Sequence, residues 1–242
     1  MAKSSGLGSL LIVDTTDLSG DIGALGNITT SRATLEVPDI TQSAMARIVG
    51  LKDGSLAYTS WWDTTTAHPV LKAMPTTDVM TSYLHGTTVG EAIASMVGKQ
   101  LSYAESRGQD GSLVANVSAA ANGFGLEWGE LLTTGKQSFG TGTVSGTSID
   151  LGATDSSFGA AAYLHVLSVA SGTAVFAVQD SANNADFLDV GTLIFTGATG
   201  ATTQRLETAA LATVRRYVRI QGTGTHGAAV VVVNFVRYMA AP

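Results

Sequence analysis

Two glycine-rich segments carry residues at the spacing of nucleotide-binding motifs. Residues 222–227 (GTGTHG) match G-x-G-x-x-G, which holds a pyrophosphate between a strand and the N-terminus of a helix. Residues 228–236 behind this match are typical of another strand, so the segment predicts a glycine-rich hairpin loop. Residues 129–136 resemble a P-loop, but the glycine spacing is one residue too long. Gln137 also stands where Ser or Thr would bind magnesium. We expect no nucleotide cofactor at either segment.

The remaining reactive residue types are scattered. The four histidines, His68, His85, His165 and His226, have no carboxylate or second histidine at metal-ligand spacing. His165 lies within a predicted strand and is expected to be packed or hydrogen-bonded. The chain has no cysteine, and no serine stands in G-x-S-x-G. The sequence therefore predicts no enzyme, no catalytic residue, no metal site and no cofactor.

Two polar clusters allow more than one interpretation. Residues 180–186 (DSANNAD) offer several oxygen ligands, as a calcium loop would, but they lack the glycine and closing glutamate of an EF-hand. A polar turn between two strands is the favoured interpretation. In residues 215–219 (RRYVR), strand periodicity puts Arg215, Tyr217 and Arg219 on one face. That face suits a solvated sheet surface better than a site for nucleic acid or sugar.

Charge is scarce in this chain. Asp, Glu, Lys and Arg make up 13% of 242 residues, about half the usual share of roughly 25%. The longest apolar run, residues 228–233, is far shorter than the roughly 18 residues that span a bilayer, so we expect no membrane segment. The first residues show no signal-peptide hydrophobic segment, which predicts synthesis in a cytoplasm. A Gly-, Ser-, Thr- and Ala-rich chain with few charges favours surfaces that other copies cover.

The net charge of −6 is uneven along the sequence. Residues 1–135 hold 13 acidic and 7 basic side chains, whereas residues 136–242 hold six of each. An acidic surface repels nucleic acid, because affinity for phosphate comes from Lys and Arg. Any DNA that meets this surface is expected to pass it without binding.

The first half of the chain mixes predicted strands with helices. Apolar residues at helical spacing, ended by Gly50, predict a helix over 40–49, and His68-Pro69 opens a short helical turn over 68–74. Asp110-Gly111 predicts a hairpin between arms 96–105 and 113–119. Within these arms, one face is larger and more apolar, and the other is small and polar. Further strands are predicted over 10–13, 31–37, 55–62 and 76–84.

The composition and the predicted secondary structure of the sequence change near residue 135. Residues 136–146 are predicted to be a Gly/Ser/Thr linker between a first domain, 1–135, and a second domain, 147–242. The second domain is expected to be a β-sandwich of the immunoglobulin-like or carbohydrate-binding-like kind. Its strands are predicted at regular spacing over 147–151, 161–169, 173–179, 187–196, 202–208, 213–221 and 228–238.

Residues 20–37 (GDIGALGNITTSRATLEV) and 98–135 (GKQLSYAESRGQDGSLVANVSAAANGFGLEWGELLTTG) resemble the major tail proteins of long-tailed, siphovirus-type bacteriophages. The similarity is greatest to phages that infect actinobacteria and covers most of residues 1–135. Segments of the second half (VQDSANNADF, TVRRYVRI) resemble sandwich domains that such proteins append to the outside of the tube. The resemblance implies a mainly β tail-tube fold, with two packed sheets and a flanking helix, followed by the C-terminal sandwich.

The resemblance also implies a function in the virion. Six subunits would close a ring, rings would stack into a tail tube, and double-stranded DNA would pass through it during ejection. The implied partners are other copies, a tape measure protein and a tail terminator protein. The implied location is the virion tail, assembled in the host cytoplasm.

The predicted lumen is formed by strands 55–62, 76–84, 97–106 and 112–120. The candidate charges at the lumen or at ring contacts are Asp53, Asp63, Asp78, Glu105 and Asp110. The alternative is a virion decoration protein whose sandwich binds host-surface glycans.

Overall fold

The computed structural model describes residues 5–41, 43–152 and 155–240, and these residues are mainly β, as predicted. The strands belong to two antiparallel sheets. No helix in this part of the chain is long and apolar enough to cross a membrane. In chain order the elements are β1 (Leu10–Val13), β2 (Thr16–Asp17), β3 (Ile22–Glu36), β4 (Arg47–Trp61), α1 (Ala67–Leu71), β5 (Val79–Leu84), β6 (Ala92–Arg107), β7 (Leu113–Leu131), β8 (Gln137–Phe139), β9 (Val144–Ser145), β10 (Ile149–Asp150), β11 (Ala160–Val169), β12 (Val175–Ser181), β13 (Leu188–Ile194), β14 (Thr202–Glu207), β15 (Tyr217–Thr223) and β16 (Ala229–Arg237).

The chain divides into two compact units, each built from separated segments of sequence. Unit 1 comprises Met1–Ser19, Thr81–Ser95 and Trp128–Pro242, and unit 2 comprises Gly20–Met80 and Met96–Glu127. These boundaries differ from the predicted ones, and the division into domains 1–135 and 147–242 stays a prediction. The predicted linker, 136–146, contains β8 and β9. It is ordered there because Phe139 anchors it by full burial in the core of unit 1.

Unit 1 packs two β-layers around an apolar core. In one layer β11 lies between β14 and β16, and in the other β15 lies between β10 and β12. The ring of Phe139 meets that of Phe176 edge-on, with centroids 5.5 Å apart. Each predicted strand between 147 and 238 is present to within a few residues. Alternate residues of β11 and β16 enter the core, namely Ala160, Ala162, Leu164, Val166, Ala229, Val231, Val233 and Phe235.

The valine run of β16 is covered on both faces. Val231 and Val233 belong to the core between the two layers. Val232 points the other way and packs with Ile12, Leu84 and other apolar residues in a second cluster. A strand buried on both sides needs no alternation of polar residues, which explains the continuous apolar run at 228–233.

Unit 2 is a sheet built on long strands. β4 pairs with β3 on one side and with β7 on the other, and β6 neighbours β7. The predicted hairpin between β6 and β7 is confirmed, with Gly111 at φ +89° in its turn. The predicted short helix is present as α1. Asp63 precedes it and accepts hydrogen bonds from the backbone N–H groups of Thr65 and Thr66 at 2.6 and 2.8 Å.

The helix predicted over 40–49 is wrong for the part of that range the structure describes. Asp39 accepts a hydrogen bond from Thr41 N at 2.8 Å and forms a local turn instead of a helix start. β4 then begins at Arg47, and the β-branched Ile48 and Val49 pair with Leu35 and Thr34 of β3. Gln42 lies outside the described residues.

A buried network of hydrogen-bonded polar side chains lies around His165 in unit 1. The position of His165 within a strand predicted that this histidine would be packed or hydrogen-bonded. His165 Nδ1 lies 2.6 Å from the carbonyl oxygen of Asp14, and Nε2 lies 2.7 Å from Ser82 Oγ. A carbonyl only accepts, so Nδ1 carries the hydrogen and Nε2 accepts from Ser82. Ser82 and Asn234 both bond Ser95 Oγ, at 2.5 and 2.8 Å. Complete burial lowers the pKa of His165 from 6.5 to about 4, so the neutral ring is the folded form.

This burial predicts acid sensitivity. The unfolded chain binds a proton at His165 near pH 6.5, whereas the folded chain does so near pH 4, so stability falls as pH drops through that window. We expect His165 to remove about 3 kcal/mol of unfolding free energy between neutral pH and pH 4. Urea denaturation of the wild type and of His165→Gln across this range would measure it. Equal pH slopes for the two proteins would contradict the prediction.

Candidate assembly and channel surface

Along the middle of strands β4 and β7, one side of the unit 2 sheet carries small or uncharged polar side chains, and Trp61 and Val114 follow on the same side where the pairing ends. The pairings Ser55 with Ala120, Ala57 with Ser118 and Thr59 with Asn116 set these residues side by side on one face. None of them is buried. We call this surface the small-residue face, and it consists of Thr29, Ser55, Ala57, Thr59, Ser102, Asn116, Ser118 and Ala120.

Hydrogen bonds between side chains join the strands along the small-residue face. Thr59 Oγ1 donates to Asn116 Oδ1 at 2.9 Å, which links β4 to β7. Ser102 Oγ and Ser118 Oγ lie 2.6 Å apart, which links β6 to β7. The sequence predicted a small polar face for the β6–β7 hairpin, and the structure extends it across β4 and onto β3.

The opposite side of the same sheet is apolar and packed. Leu56, Tyr58 and Ser60 of β4 alternate with the residues of the small-residue face, and all three are buried. Their partners on β7, Ala119, Val117 and Ala115, are buried as well. A shift of one residue in register would exchange the two faces, so the pattern strongly fixes the register.

Glu105, one of the five predicted charges, holds a cluster of aromatic rings. Its carboxylate accepts hydrogen bonds from Tyr103 OH at 3.0 Å and Trp62 Nε1 at 3.2 Å. Tyr103 OH lies 2.6 Å from His68 Nδ1, which ties α1 to β6. Burial, with Glu105 alongside, raises the pKa of Tyr103 to about 12. Glu105 therefore has a structural role within unit 2, where it holds the rings of Tyr103 and Trp62 in place.

The other four predicted charges are dispersed through unit 2. Asp63 and Asp110 close turns, and hydrogen bonds from the Thr65 hydroxyl and nearby backbone lower the pKa of Asp63 to about 2. Asp78 pairs with Lys99 Nζ at 2.8 Å. Asp53 lies opposite Ser31 in register, on the side of the sheet that bears the small-residue face. No three His, Asp or Glu side chains in the described part of the chain are grouped to hold a metal.

The acidic excess is shared between the two compact units. Unit 2 has nine acidic and six basic residues, and unit 1 has ten and seven, so each has a net charge of −3. The imbalance between residues 1–135 and 136–242 therefore does not coincide with one compact unit. The small-residue face itself has no Lys or Arg.

Beyond this face, the β3–β4 hairpin continues as an exposed apolar arm. Leu35 is 55% exposed, Leu51 is 85% exposed, and Ile40 is fully exposed. We call residues 35–41 and 43–51 the distal hairpin. Because a helix was predicted over 40–49, this arm was not predicted from the sequence. The adjacent β-branched residues Ile48 and Val49 are the residues that indicate a strand there. Its exposed apolar residues are Leu35, Val37, Ile40, Met45, Ile48, Val49 and Leu51.

The glycine-rich segment 222–227 connects β15 to β16, which confirms that a strand and not a helix follows it. It is not a hairpin loop, because β15 and β16 belong to different sheets. The 180–186 segment contains the polar turn between β12 and β13, in which Asn183 Oδ1 accepts from the backbone N–H groups of Ala185 and Asp186 at 3.0 and 2.9 Å.

Comparisons with known proteins give remote likenesses. No protein-family profile and no curated protein matches this chain. Among solved structures, it is similar to a chain from the virion of a native gene transfer agent particle, with a TM-score of 0.43 and 12% identity over 52% of this chain and 98% of that one. A chain from the tail of an empty gene transfer agent particle with C6 symmetry gives a TM-score of 0.41 and 12% identity, again over 52% and 98%.

A third likeness is to the SPP1 Dit protein, a hub component of the adsorption apparatus in phages that infect Gram-positive bacteria. Its TM-score is 0.34 and its identity 9%, over 95% of this chain and 99% of that one. These three likenesses are too weak to fix the function of this chain.

Truncating a side chain should lower the free energy of unfolding much more on the packed face of the unit 2 sheet than on the small-residue face. Val117 is buried and Asn116, its neighbour on β7, is exposed. We expect Val117→Ala to lower the free energy of unfolding by about 2 kcal/mol and Asn116→Ala to change it by less than about 0.5 kcal/mol. Urea denaturation of both variants measures the difference, and equal losses would contradict the assignment of the faces.

Proposed function

We propose that this chain is a tail tube subunit of a siphovirus-type bacteriophage that assembles into stacked hexameric rings. In this proposal the small-residue face lines the channel through which double-stranded DNA is ejected. The observation that carries the proposal is the middle of the open face of the unit 2 sheet, where Ser55, Ala57, Thr59 and their partners on β7 are all small or uncharged polar residues.

A DNA conduit has to avoid holding its cargo. Lys and Arg bind phosphate by releasing counterions, and aromatic side chains bind unstacked bases. The small-residue face has neither, and its hydroxyl and amide groups bond each other across the strands. Asp53 adds a negative charge on the same side. DNA would therefore bind such a surface only weakly and could move past it.

Assembly is supported by two features of β3 and β4. Among the described residues, β3 pairs only with β4, so its other edge carries unpaired backbone groups over a 15-residue strand. Long exposed edges are aggregation sites unless another strand or element covers them. The distal hairpin adds exposed Leu35, Ile48 and Leu51 on the same two strands. In our proposal neighbouring subunits cover both features.

The remaining parts of the proposal follow the sequence resemblance. Residues 1–135 would form the tube, and residues 147–242 would be displayed outside it. The tape measure and tail terminator proteins would be partners, and assembly would take place in the cytoplasm of an actinobacterial host. Asp63, Asp78, Glu105 and Asp110 would lie near ring contacts while keeping the bonds described above.

Assembly provides the test. Negative-stain electron microscopy of the purified chain should show rings or hollow tubes, and a chain that stays monomeric at every concentration would contradict the proposal. Leu51→Asp should abolish assembly while leaving the unfolding free energy of the monomer within about 0.5 kcal/mol, because Leu51 is largely exposed.

Leu211→Asp is the matched control, since Leu211 is 68% exposed in unit 1 and its positive φ suits Asp. It should assemble like the wild type. If the Leu51 and Leu211 variants assemble equally well, the distal hairpin is not part of the proposed interface.

A further inference from the structure

Unit 1 contains a recess of about 350 Å³ that the proposed tube function does not use. It is lined by Gly90, Trp128, Glu130, Asp150, Arg237 and Met239, among others. This volume lies within the range of small-molecule sites. Three of these residues carry charge and one is a tryptophan, so the recess combines an apolar surface with polar groups.

Glu130 and Arg237 have unused hydrogen-bonding capacity. The Glu130 carboxylate is half-buried, burial raises its pKa, and it has no hydrogen-bond partner among the described residues. Arg237 Nη1 is buried without a partner in the same part of the chain, and Nη2 reaches Leu151 O at a long 3.4 Å. Phe235 pairs with Glu130 across β16 and β7, so Glu130, Phe235 and Arg237 share one face. The negative charge of Asp155 also acts on Arg237, but the Glu130 carboxylate and Arg237 Nη1 still lack hydrogen bonds within the described residues. Desolvated polar groups without hydrogen bonds are costly, and a ligand that bonds both would relieve that cost.

Asp150 has a different role at the edge of the recess. Its two carboxylate oxygens accept from Arg216 Nε and Nη2, each at 2.6 Å. These bonds hold the pKa of Asp150 at about 2. Asp150 therefore remains a negative charge paired with Arg216, and the polar groups available to a ligand are those of Glu130 and Arg237.

Trp128, which lines the recess, is the end of a row of three aromatic rings. The Trp128 ring is 42% exposed, and its centroid lies 5.4 Å from that of His85. His85 in turn meets Tyr83 edge-on, at 5.1 Å. Exposed indole surface that is held in place by neighbouring rings suits stacking against an apolar ligand face.

We propose that this recess binds a neutral saccharide. The C–H face of a sugar ring would pack on Trp128, its hydroxyl groups would donate to Glu130, and its oxygen atoms would accept from Arg237. An anionic ligand is opposed by Glu130, and a cationic one by Arg237. A purely apolar ligand would leave both free polar groups without partners. The sequence placed a glycan site within 147–242, whereas this recess also needs Trp128 and Glu130, which precede that segment, alongside Asp150 and Arg237 from within it.

Saturation-transfer NMR on the purified full chain tests the proposal. The probes are glucose, galactose, mannose, N-acetylglucosamine and, as an anionic counterpart, glucuronic acid. We expect at least one neutral sugar to receive saturation. Trp128→Ala and Glu130→Gln should each weaken that binding by about tenfold or more. Trp62→Phe, which changes an exposed tryptophan in unit 2, should leave it unchanged.

Several outcomes would overturn the saccharide site. They are the absence of signal from every neutral sugar, binding of glucuronic acid alone, and binding that survives both recess substitutions. Circular dichroism and urea denaturation of each variant separate loss of the site from loss of the fold. If Trp128→Ala instead blocks assembly while no neutral sugar binds, the recess is a contact between copies and the proposal is wrong. The sugar readout does not depend on tube formation.

Discussion

Strand alternation in unit 2 determines which side chains its sheet packs and which it leaves open. Successive side chains of a strand point to opposite faces, so a sheet can pack one face and leave the other open. β4 and β7 put Leu56, Tyr58 and Val117 on the packed side and Ser55, Ala57 and Ser118 on the open side. The packed side fixes the register, and the register brings the small, uncharged residues of the small-residue face together on the open side. The proposed channel surface is thus a consequence of how the sheet is stabilised.

Much of this arrangement was predictable from the residues. The β6–β7 hairpin followed from Asp110-Gly111 between alternating arms, and its small polar face followed from the period of two. The strands of unit 1 followed from β-branched runs separated by turns. The continuous valine run in β16 marked a buried strand, and the structure shows cover on both of its faces.

Other features could not be predicted because they depend on contacts between distant segments. Helical spacing is present at Ile40, Ala44, Met45 and Ile48, but the pairing of β4 with β3 over a 15-residue strand outweighs that local pattern. The segment 136–146 has linker composition, yet Phe139 is buried in a core built from residues far along the chain. The recess beside Trp128 combines side chains from β7, β10 and β16, which only the fold brings together.

The distribution of charge changes the physical explanation of the proposed channel. Both compact units carry the same net charge of −3, so the acidic character is general and not confined to one surface. What distinguishes the small-residue face is its lack of Lys, Arg and aromatic side chains. Low affinity for DNA would then come mainly from missing binding groups, with Asp53 as a minor repulsive charge.

Site-specific labelling of assembled tubes determines whether the small-residue face lines a channel. Because the chain has no cysteine, Ser118→Cys creates a single attachment point on that face for maleimide-linked nanogold. Ala182→Cys, at an exposed turn of unit 1, serves as the comparison. Electron microscopy should show gold along the tube axis for the Ser118 variant and at the periphery for the Ala182 variant. Gold from Ser118→Cys on the outer surface of the tube would contradict the account.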